Sequence, residues 1–334
     1  MTAKMNHTFQ QEKALTKAAV TALAMTLGLQ MVLAPVRAQI EVPSQALRTA
    51  DAALRGFIES DFPRLHRVAA NMYVIEDLYG AIDSNTAFTT NVMFVVTSAG
   101  VVVLDGLDTE ERTALVVQMI EEVTSQPIRY VIIGADHSDH IGGNNAFPPG
   151  VTFIAHPLAI ERIEALDGSV PVPQEAVADS RRLELGGVEM QIMFLGPAHT
   201  GSDLLVHFPQ QDILWASETF FTRLYPSVGG GRTAHPHSWL DVVRRVEAMN
   251  VGLVLPNHGF IYPAEVLREE LVSFRRCLEN LISEASRMHA AGVPADQAPY
   301  RMNIGEFAYW YRAAANLPNA VAQVYRELDG QEIP

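Results

Sequence analysis

Ala135-Asp136-His137-Ser138-Asp139-His140, running straight into Ile141-Gly142-Gly143-Asn144, is the stretch that decides how the rest of the chain is read. Two imidazoles and a carboxylate, His137, His140 and Asp139, fall within four residues. The apolar run Tyr130-Val131-Ile132-Ile133 precedes them and ends at Gly134, which reads as a buried strand; Gly142-Gly143 reads as a turn into a helix. The polar side chains are therefore expected to crowd at the C-terminal end of a strand. Imidazole and carboxylate are what Zn²⁺ and similar ions bind, and a short loop can set several of them around one ion. A polar surface turn containing chance histidines has the same local sequence, so the weight falls on the rest of the chain.

The same arrangement recurs three times downstream. Val188 to Leu195 alternates, then breaks at Gly196-Pro197-Ala198-His199-Thr200-Gly201. Asp212 to Ala216 reads as another strand and ends in Ser217-Glu218. Val251 to Leu255 reads as a further one, ending in Pro256-Asn257-His258-Gly259. An ordered series of strand ends, each carrying a His or a carboxylate, describes a site built along one edge of a sheet.

From about Met72 to His258 this pattern resembles the metallo-β-lactamase superfamily. That family's signature is H-x-H-x-D-H, then a lone His, then a bridging Asp, then a final His in a Pro-x-His-Gly turn. Here the signature falls on His137, Asp139 and His140, the lone His on His199 and the final His on His258. Val101 to Gly106 is similar to the family's early strand, whose Asp-Gly end supports the metal loops. The fold this implies is α/β, an αββα sandwich, with a helical extension after it. Two positions depart. The first signature histidine is Ala135, which ligates nothing, and the bridging position is Glu218, a carboxylate one methylene longer than Asp.

The resemblance implies two adjoining metal sites. One would keep His137 and His199 and lose its third imidazole; the other keeps Asp139, His140 and His258. Asp136 is next to the gap, but a neighbour in an extended loop points its side chain elsewhere. One tightly bound Zn²⁺ is expected, with a weak or absent second. Three protein ligands and an open position are the catalytic zinc arrangement, which brings the pKa of bound water to about 7. The expected activity is a zinc-dependent hydrolase using metal-bound hydroxide on a small organic substrate of ester, lactone, lactam or thioester type. Asp139 or Glu218 would orient that water or accept its proton. A hydrolytic dehalogenase or lyase on the same scaffold, or a binding protein that has lost catalysis, are the alternatives; a fold does not choose among them.

Residues 1–38 read as a signal peptide, with an uncleaved N-terminal anchor as the alternative. Lys13 and Lys17 precede an apolar run from Ala18 to Ala34, and Val36-Arg37-Ala38 supplies small residues at a cleavage position. A periplasmic or secreted protein is expected. The segment carries Lys4, Lys13, Lys17 and Arg37 against Glu12, a net +3; the chain's −14 less that +3 leaves −17. So acidic a remainder, with no basic stripe, argues against nucleic-acid partners and against an anionic membrane surface. A small-molecule substrate is the expected partner. Cys277, the only cysteine, excludes an intramolecular disulfide.

Residues 39–262 are expected to form the metallo-β-lactamase-like domain and 263–334 the helical extension packed on it. Asn91 to Thr97 and Val101 to Asp105 predict a hairpin around Ser98-Ala99-Gly100. Helical spacing predicts Thr109 to Ser125, with Leu115, Met119, Ile120 and Val123 on one side, and Ser238 to Met249, with Trp239, Val242, Val243 and Val246 inward. Leu267, Leu271, Phe274 and Leu278 mark another helix, and Phe307, Trp310, Tyr311 and Ala314 one more. Asp77 to Thr90 and Phe220 to Pro236, the latter with Gly229-Gly230-Gly231, read as loops around the pocket. His156 reads as a cap or a support for the ligands; His235 and His237 are not expected to ligate.

Overall fold

Val101-Val102-Val103-Leu104 contains no polar residue because its strand is covered on both faces. Val101 and Val103 join one core cluster, Val102 and Leu104 the other. Side chains alternate across a strand, so a run buried on both sides must be apolar at every position. The computed structural model describes residues 48–82, 84, 86–228 and 233–333. Residues 1–38 and Gly229-Gly230-Gly231 lie outside them.

Two sheets form. The first has seven strands in sequential order: β1 (Arg64–Ala69), β2 (Met72–Tyr79), β3 (Phe88–Thr97), β4 (Gly100–Leu104), β5 (Ile128–Ile132), β6 (Thr152–Ala155) and β7 (Glu175–Ala176). β1 to β4 pair antiparallel and β4 to β7 parallel. The second sheet has five: β8 (Ser180–Leu185), β9 (Val188–Phe194), β10 (Leu204–Phe208), β11 (Ile213–Trp215) and β12 (Leu253–Leu255), with β11 and β12 parallel.

Between the sheets Val74, Met93, Val102 and Ile132 share one core with Met190, Ile192, Val206 and Trp215. On the outer face of the first sheet, α1 (Glu110–Val123) and α3 (Pro157–Glu164) bury Val116, Ile120, Ala159 and Ile163 against Ile75, Phe94, Val103 and Val131. On the side of the second sheet lie α4 (Pro236–Ala248), α5 (Ala264–Ala290) and α6 (Ala313–Leu328), whose Trp239, Val243, Phe274, Leu278 and Val324 join the same buried cluster, which spans both faces of that sheet. The layering is helix, sheet, sheet, helix, and these helices belong to the same compact unit as the sheets. Each fully buried aliphatic side chain contributes about 1.5–3 kcal/mol.

The hairpin forms as expected, with Thr97 paired to Gly100. α4 buries Trp239, Val242, Val243 and Val246, and α5 buries Leu267, Leu271, Phe274, Cys277 and Leu278. Three expectations are corrected. On α1, Ile120 is buried and Met119 and Val123 pack against the same cluster as expected, but Leu115 is exposed and the face is completed by Val116 and Thr113, whose hydroxyl accepts the Leu107 amide. Asp77 to Thr90 is strand at both ends: β2 runs to Tyr79 and β3 starts at Phe88, so the connection is confined to residues 80–87. Their aromatic ends, Tyr79 and Phe88, stack across the pair at 5.0 Å. Phe307 to Ala314 is not one helix. A 3₁₀ turn, Gly305–Tyr309, stops at Trp310, and Tyr311 pairs instead with the 223–225 segment, its amide on the Arg223 carbonyl. A long-range backbone pairing wins over the local spacing, and α6 begins only after it.

Candidate active site

Each of the six predicted residues stands just beyond a strand. Asp136 and His137 follow β5, and His137 is the N-cap of the four-residue helix α2 (Ser138–Ile141), which carries Asp139 and His140. His199 lies between β9 and β10, Glu218 in the 3₁₀ turn Ser217–Thr219 after β11, and His258 three residues after β12. Because β5 belongs to one sheet and β9, β11 and β12 to the other, the cluster joins the two sheets.

Glu218 is its centre. Its Oε1 lies 2.9 Å from His258 Nε2, 3.2 Å from His140 Nε2 and 3.3 Å from His199 Nε2. Its Oε2 lies 3.1 Å from His137 Nδ1. Asp139 Oδ2 is 3.6 Å from His140 Nε2 and 3.5 Å from His258 Nε2. Ser217 adopts φ 50° and turns the chain before Glu218. Gly134 is required opposite it, since a Cβ there would stand 2.2 Å from Ser217 Oγ.

Asp105, after β4, is buried in the left-handed region at φ 66° and ties the loops together. It accepts the Gly134 amide at 2.6 Å on one oxygen and the Asn257 side-chain amide at 2.8 Å on the other. The second oxygen also lies 3.7 Å from His140 Nδ1. Asp136 does point away from the centre, where it pairs with Arg162 and accepts the Ser202 hydroxyl at 3.1 Å. His156 caps α3, its Nδ1 accepting the Leu158 amide. His237 pairs with Glu327, away from the ligand groups, and His235 caps α4.

The electrostatics follow from burial and the two carboxylates. Burial opposes protonation of His137, but the Glu218 carboxylate overcomes it and raises the imidazole to about 9. Burial also opposes a proton on His140; Asp139 and Glu218 lift it well above the ordinary range. For His199 burial prevails and holds it down to about 3. Burial pushes Glu218 toward the neutral form, yet the surrounding imidazoles keep it well below the usual carboxylate range, so it is ionised.

The donor set fits a metal ion. Ligand atoms of Asp139, His140, Glu218 and His258 all lie within 4.8 Å of one another, and those of His137, His199 and Glu218 do the same. His140 Nδ1 and Nε2, His137 Nε2 and Glu218 Oε2 are buried with no hydrogen-bond partner. A buried polar atom left this way costs about 1–3 kcal/mol, and a cation among these donors offsets that cost. Glu218 belongs to both groups, so the group that lacks a third imidazole at Ala135 still has three donors.

A cavity of about 390 Å³ opens on the cluster, with walls that include Tyr79, Phe88, Phe221 and Leu224. Tyr225, in the same segment as Phe221 and Leu224, is buried in the core. Thr86 and Ser227, from the two segments expected around the pocket, also line the cavity, as do Arg312 and Asn316, which carry no sequence signal for it. Arg312 and Asn316 arrive from the start of α6, which only the packing of the C-terminal helices brings to the site.

Residues 85–258 match the family model described as the metallo-beta-lactamase superfamily. The chain belongs to that superfamily. Among relatives, a type 2 metallo-beta-lactamase of Bacillus cereus is 25% identical over 179 residues, 53% of this chain and 69% of the relative. The alpha subunit of a 2,4-dinitroanisole O-demethylase from Nocardioides sp. is 26% identical over 136 residues, covering 40% of this chain and 41% of that one. Among solved structures, a metallo-beta-lactamase from Pontibacter korlensis superposes with a TM-score of 0.58 at 22% identity, over 65% of this chain and 99% of that one. The sec-alkylsulfatase Pisa1 from Pseudomonas sp. gives 0.65 at 15% identity, over 83% and 51%. The protein is thus a hydrolase of the metallo-β-lactamase superfamily, with an αββα sandwich, C-terminal helices and candidate metal-binding groups.

Proposed function

We propose that this protein is a zinc-dependent hydrolase of small organic molecules with an ester, lactone, lactam or thioester bond. The observation that carries the reading is the ionised, buried Glu218 among four imidazoles, with His137 Nε2, both His140 nitrogens, His199 Nδ1 and Glu218 Oε2 left without hydrogen-bond partners, at the end of an open cavity. Asp139, His140, Glu218 and His258 would hold one ion tightly, and His137, His199 and Glu218 a second more weakly. When bound, zinc supplies Lewis acidity, polarising the bond under attack and making an attacking water more acidic.

The chain's own residues divide the remaining work. Asp139 is the more open of the two carboxylates, its side chain 13% exposed against 2% for Glu218. It is therefore the group that orients an attacking water and takes its proton, while Glu218 holds the imidazoles. Phe88 and Phe221 flank His258, with ring centroids at 4.9 and 5.1 Å, and keep bulk water from it. The same apolar walls receive the body of the substrate.

Metal analysis of the purified protein, with a hydrolysis panel of lactams, lactones, thioesters and carboxylic, phosphate and sulfate esters, tests this. Zinc near one equivalent and turnover abolished by Asp139→Ala are expected. A folded protein that takes up no zinc sinks the proposal. Halide release from haloaromatics in the same panel would instead favour dehalogenation. We further propose that residues 1–38 direct export, so that exported protein begins at Gln39; an intact N-terminus in a cytoplasmic fraction would refute it.

A further inference from the structure

Arg312 is the only guanidinium or ammonium group among the described residues lining the cavity. The chain's three lysines all lie before residue 18, so any cation offered here beyond the imidazoles is an arginine. Its position is held against local preference: the residue adopts φ 60° and ψ 15°, a region disfavoured for residues with a Cβ. Two contacts enforce it. The Tyr311 amide is held by the Arg223 carbonyl at 3.0 Å, and the Asn316 amide takes the Arg312 carbonyl at 2.8 Å.

The side chain so placed is poorly partnered. One guanidinium nitrogen reaches the Thr86 carbonyl at 3.4 Å, the Nε is buried with no partner, and the group stands 5.8 Å from the Phe88 ring centroid. No carboxylate of the described residues lies within ion-pairing distance. Arg223, left-handed at φ 55° in the paired segment, makes the contrast: it takes buried Glu270 through two nitrogens at 2.5 and 2.9 Å. Backbone outliers of this kind gather at ligand sites, where the surrounding structure over-determines them.

We propose that Arg312 binds an oxyanion carried by the substrate, a carboxylate or sulfonate separated by an apolar segment from the bond that is cleaved. A planar guanidinium with free donors pairs with such a group through charge-assisted, often bidentate, hydrogen bonds. Phe88, Phe221 and Leu224 line the same cavity as Arg312 and the ligand cluster and receive the apolar segment. The inference rests on the hydrolase reading and narrows its substrates to small amphipathic anions. Arg312 is a specificity residue, and the reacting atoms lie with the other group of side chains.

The test is equilibrium binding of hydrocinnamate, its neutral amide and phenylethanesulfonate, by titration calorimetry or saturation-transfer NMR. Each is titrated into zinc-loaded and chelator-treated protein, with zinc content measured on every preparation. Wild type is expected to prefer the anions to the amide in both forms; the carboxylate and sulfonate arms show which oxyanion is favoured. Arg312→Gln should weaken anion binding about 10- to 100-fold and leave the amide within about 3-fold. Arg312→Lys should keep part of the anion preference, which separates lost charge from lost structure. Anion binding unchanged in Arg312→Gln, or seen only with zinc present, overturns the proposal, because the oxyanion then sits on the metal. Equal weakening of anion and amide also overturns it. Arg312-dependent anion binding in a protein that takes up no zinc leaves this inference standing and removes the hydrolase reading.

Discussion

His258 is oriented by Thr89: its Nδ1 lies 3.0 Å from the Thr89 carbonyl oxygen. A carbonyl only accepts, so Nδ1 carries the hydrogen and Nε2 is the nitrogen turned to Glu218 at 2.9 Å. In that neutral tautomer Nε2 keeps its lone pair and is the atom His258 would offer to an ion. This buried backbone partner fixes the ring before any ion arrives, which is how supporting contacts strengthen a metal ligand. His199 has no such support, since its Nδ1 is buried without a partner.

The two histidines should therefore differ in what they cost. His258→Ala removes a ligand of the four-donor group and is expected to lower zinc affinity by about 100-fold or more. His199→Ala removes one from the three-donor group and should leave the tight ion nearly unaffected. Competition with a chromogenic chelator reads both. Equal and complete loss in the two variants would contradict the division into a tight and a weak group.

Ala135 stands where the family's first signature histidine would be, buried beside Gly134. Ala135→His is expected to raise zinc content from about one to about two ions, since it adds an imidazole to the His137, His199 and Glu218 group. The larger side chain enters a filled space, so the metal-free variant should lose about 1–3 kcal/mol. Zinc content that stays near one would show that the imidazole does not reach the group.

Stability of the metal-free protein should depend on pH in a stated sense. His137 is raised from 6.5 to about 9, so its contribution is complete below pH 6.5 and is lost as pH rises through 9. Asp203, which burial raises to about 7, is protonated longer in the folded state and acts in the same direction, its contribution lost by pH 7. His199, held to about 3, acts oppositely: its contribution is present above 6.5 and lost as pH falls through 3. Urea unfolding of chelator-treated protein is expected to show a fall on the order of 2–3 kcal/mol between pH 6.5 and 9. Zinc-loaded protein should not show it, because coordination has already removed the proton. A flat profile in the metal-free protein would mean that His137 does not hold the proton assigned to it.

Asp105 carries the same connection in its most testable form. Asp105→Ala leaves the Gly134 amide and the Asn257 side-chain amide without acceptors in the interior, at about 2–4 kcal/mol of stability. Asp105→Asn keeps one acceptor oxygen and should cost less. Zinc affinity should fall in both, although Asp105 is in neither ligand group. Unchanged affinity in Asp105→Ala would show that the loops hold their places unaided.

The strands and the candidate donor residues were legible because their causes are local. A β4 with no polar residue reports burial on both faces, and histidines or carboxylates after four apolar runs report strand ends at a common edge. The α1 face was misread at one position: Leu115, apolar and in register, is exposed, while Thr113 is buried and accepts the Leu107 amide. The break at Trp310–Arg312 was invisible for a different reason. Its cause is a backbone pairing with residues 223–225, far away along the chain.

The sequence alone determined the residue types at each strand end, and with them the family and the donor set, because alternation and spacing are properties of neighbours. Tertiary structure alone decided that Glu218 belongs to both ligand groups, that Thr89 orients His258, and that Arg312 faces the same cavity. Each depends on the meeting of segments about 40 to 230 residues apart, and the coordinates of such meetings are set by packing of the two sheets and the C-terminal helices rather than by local pattern.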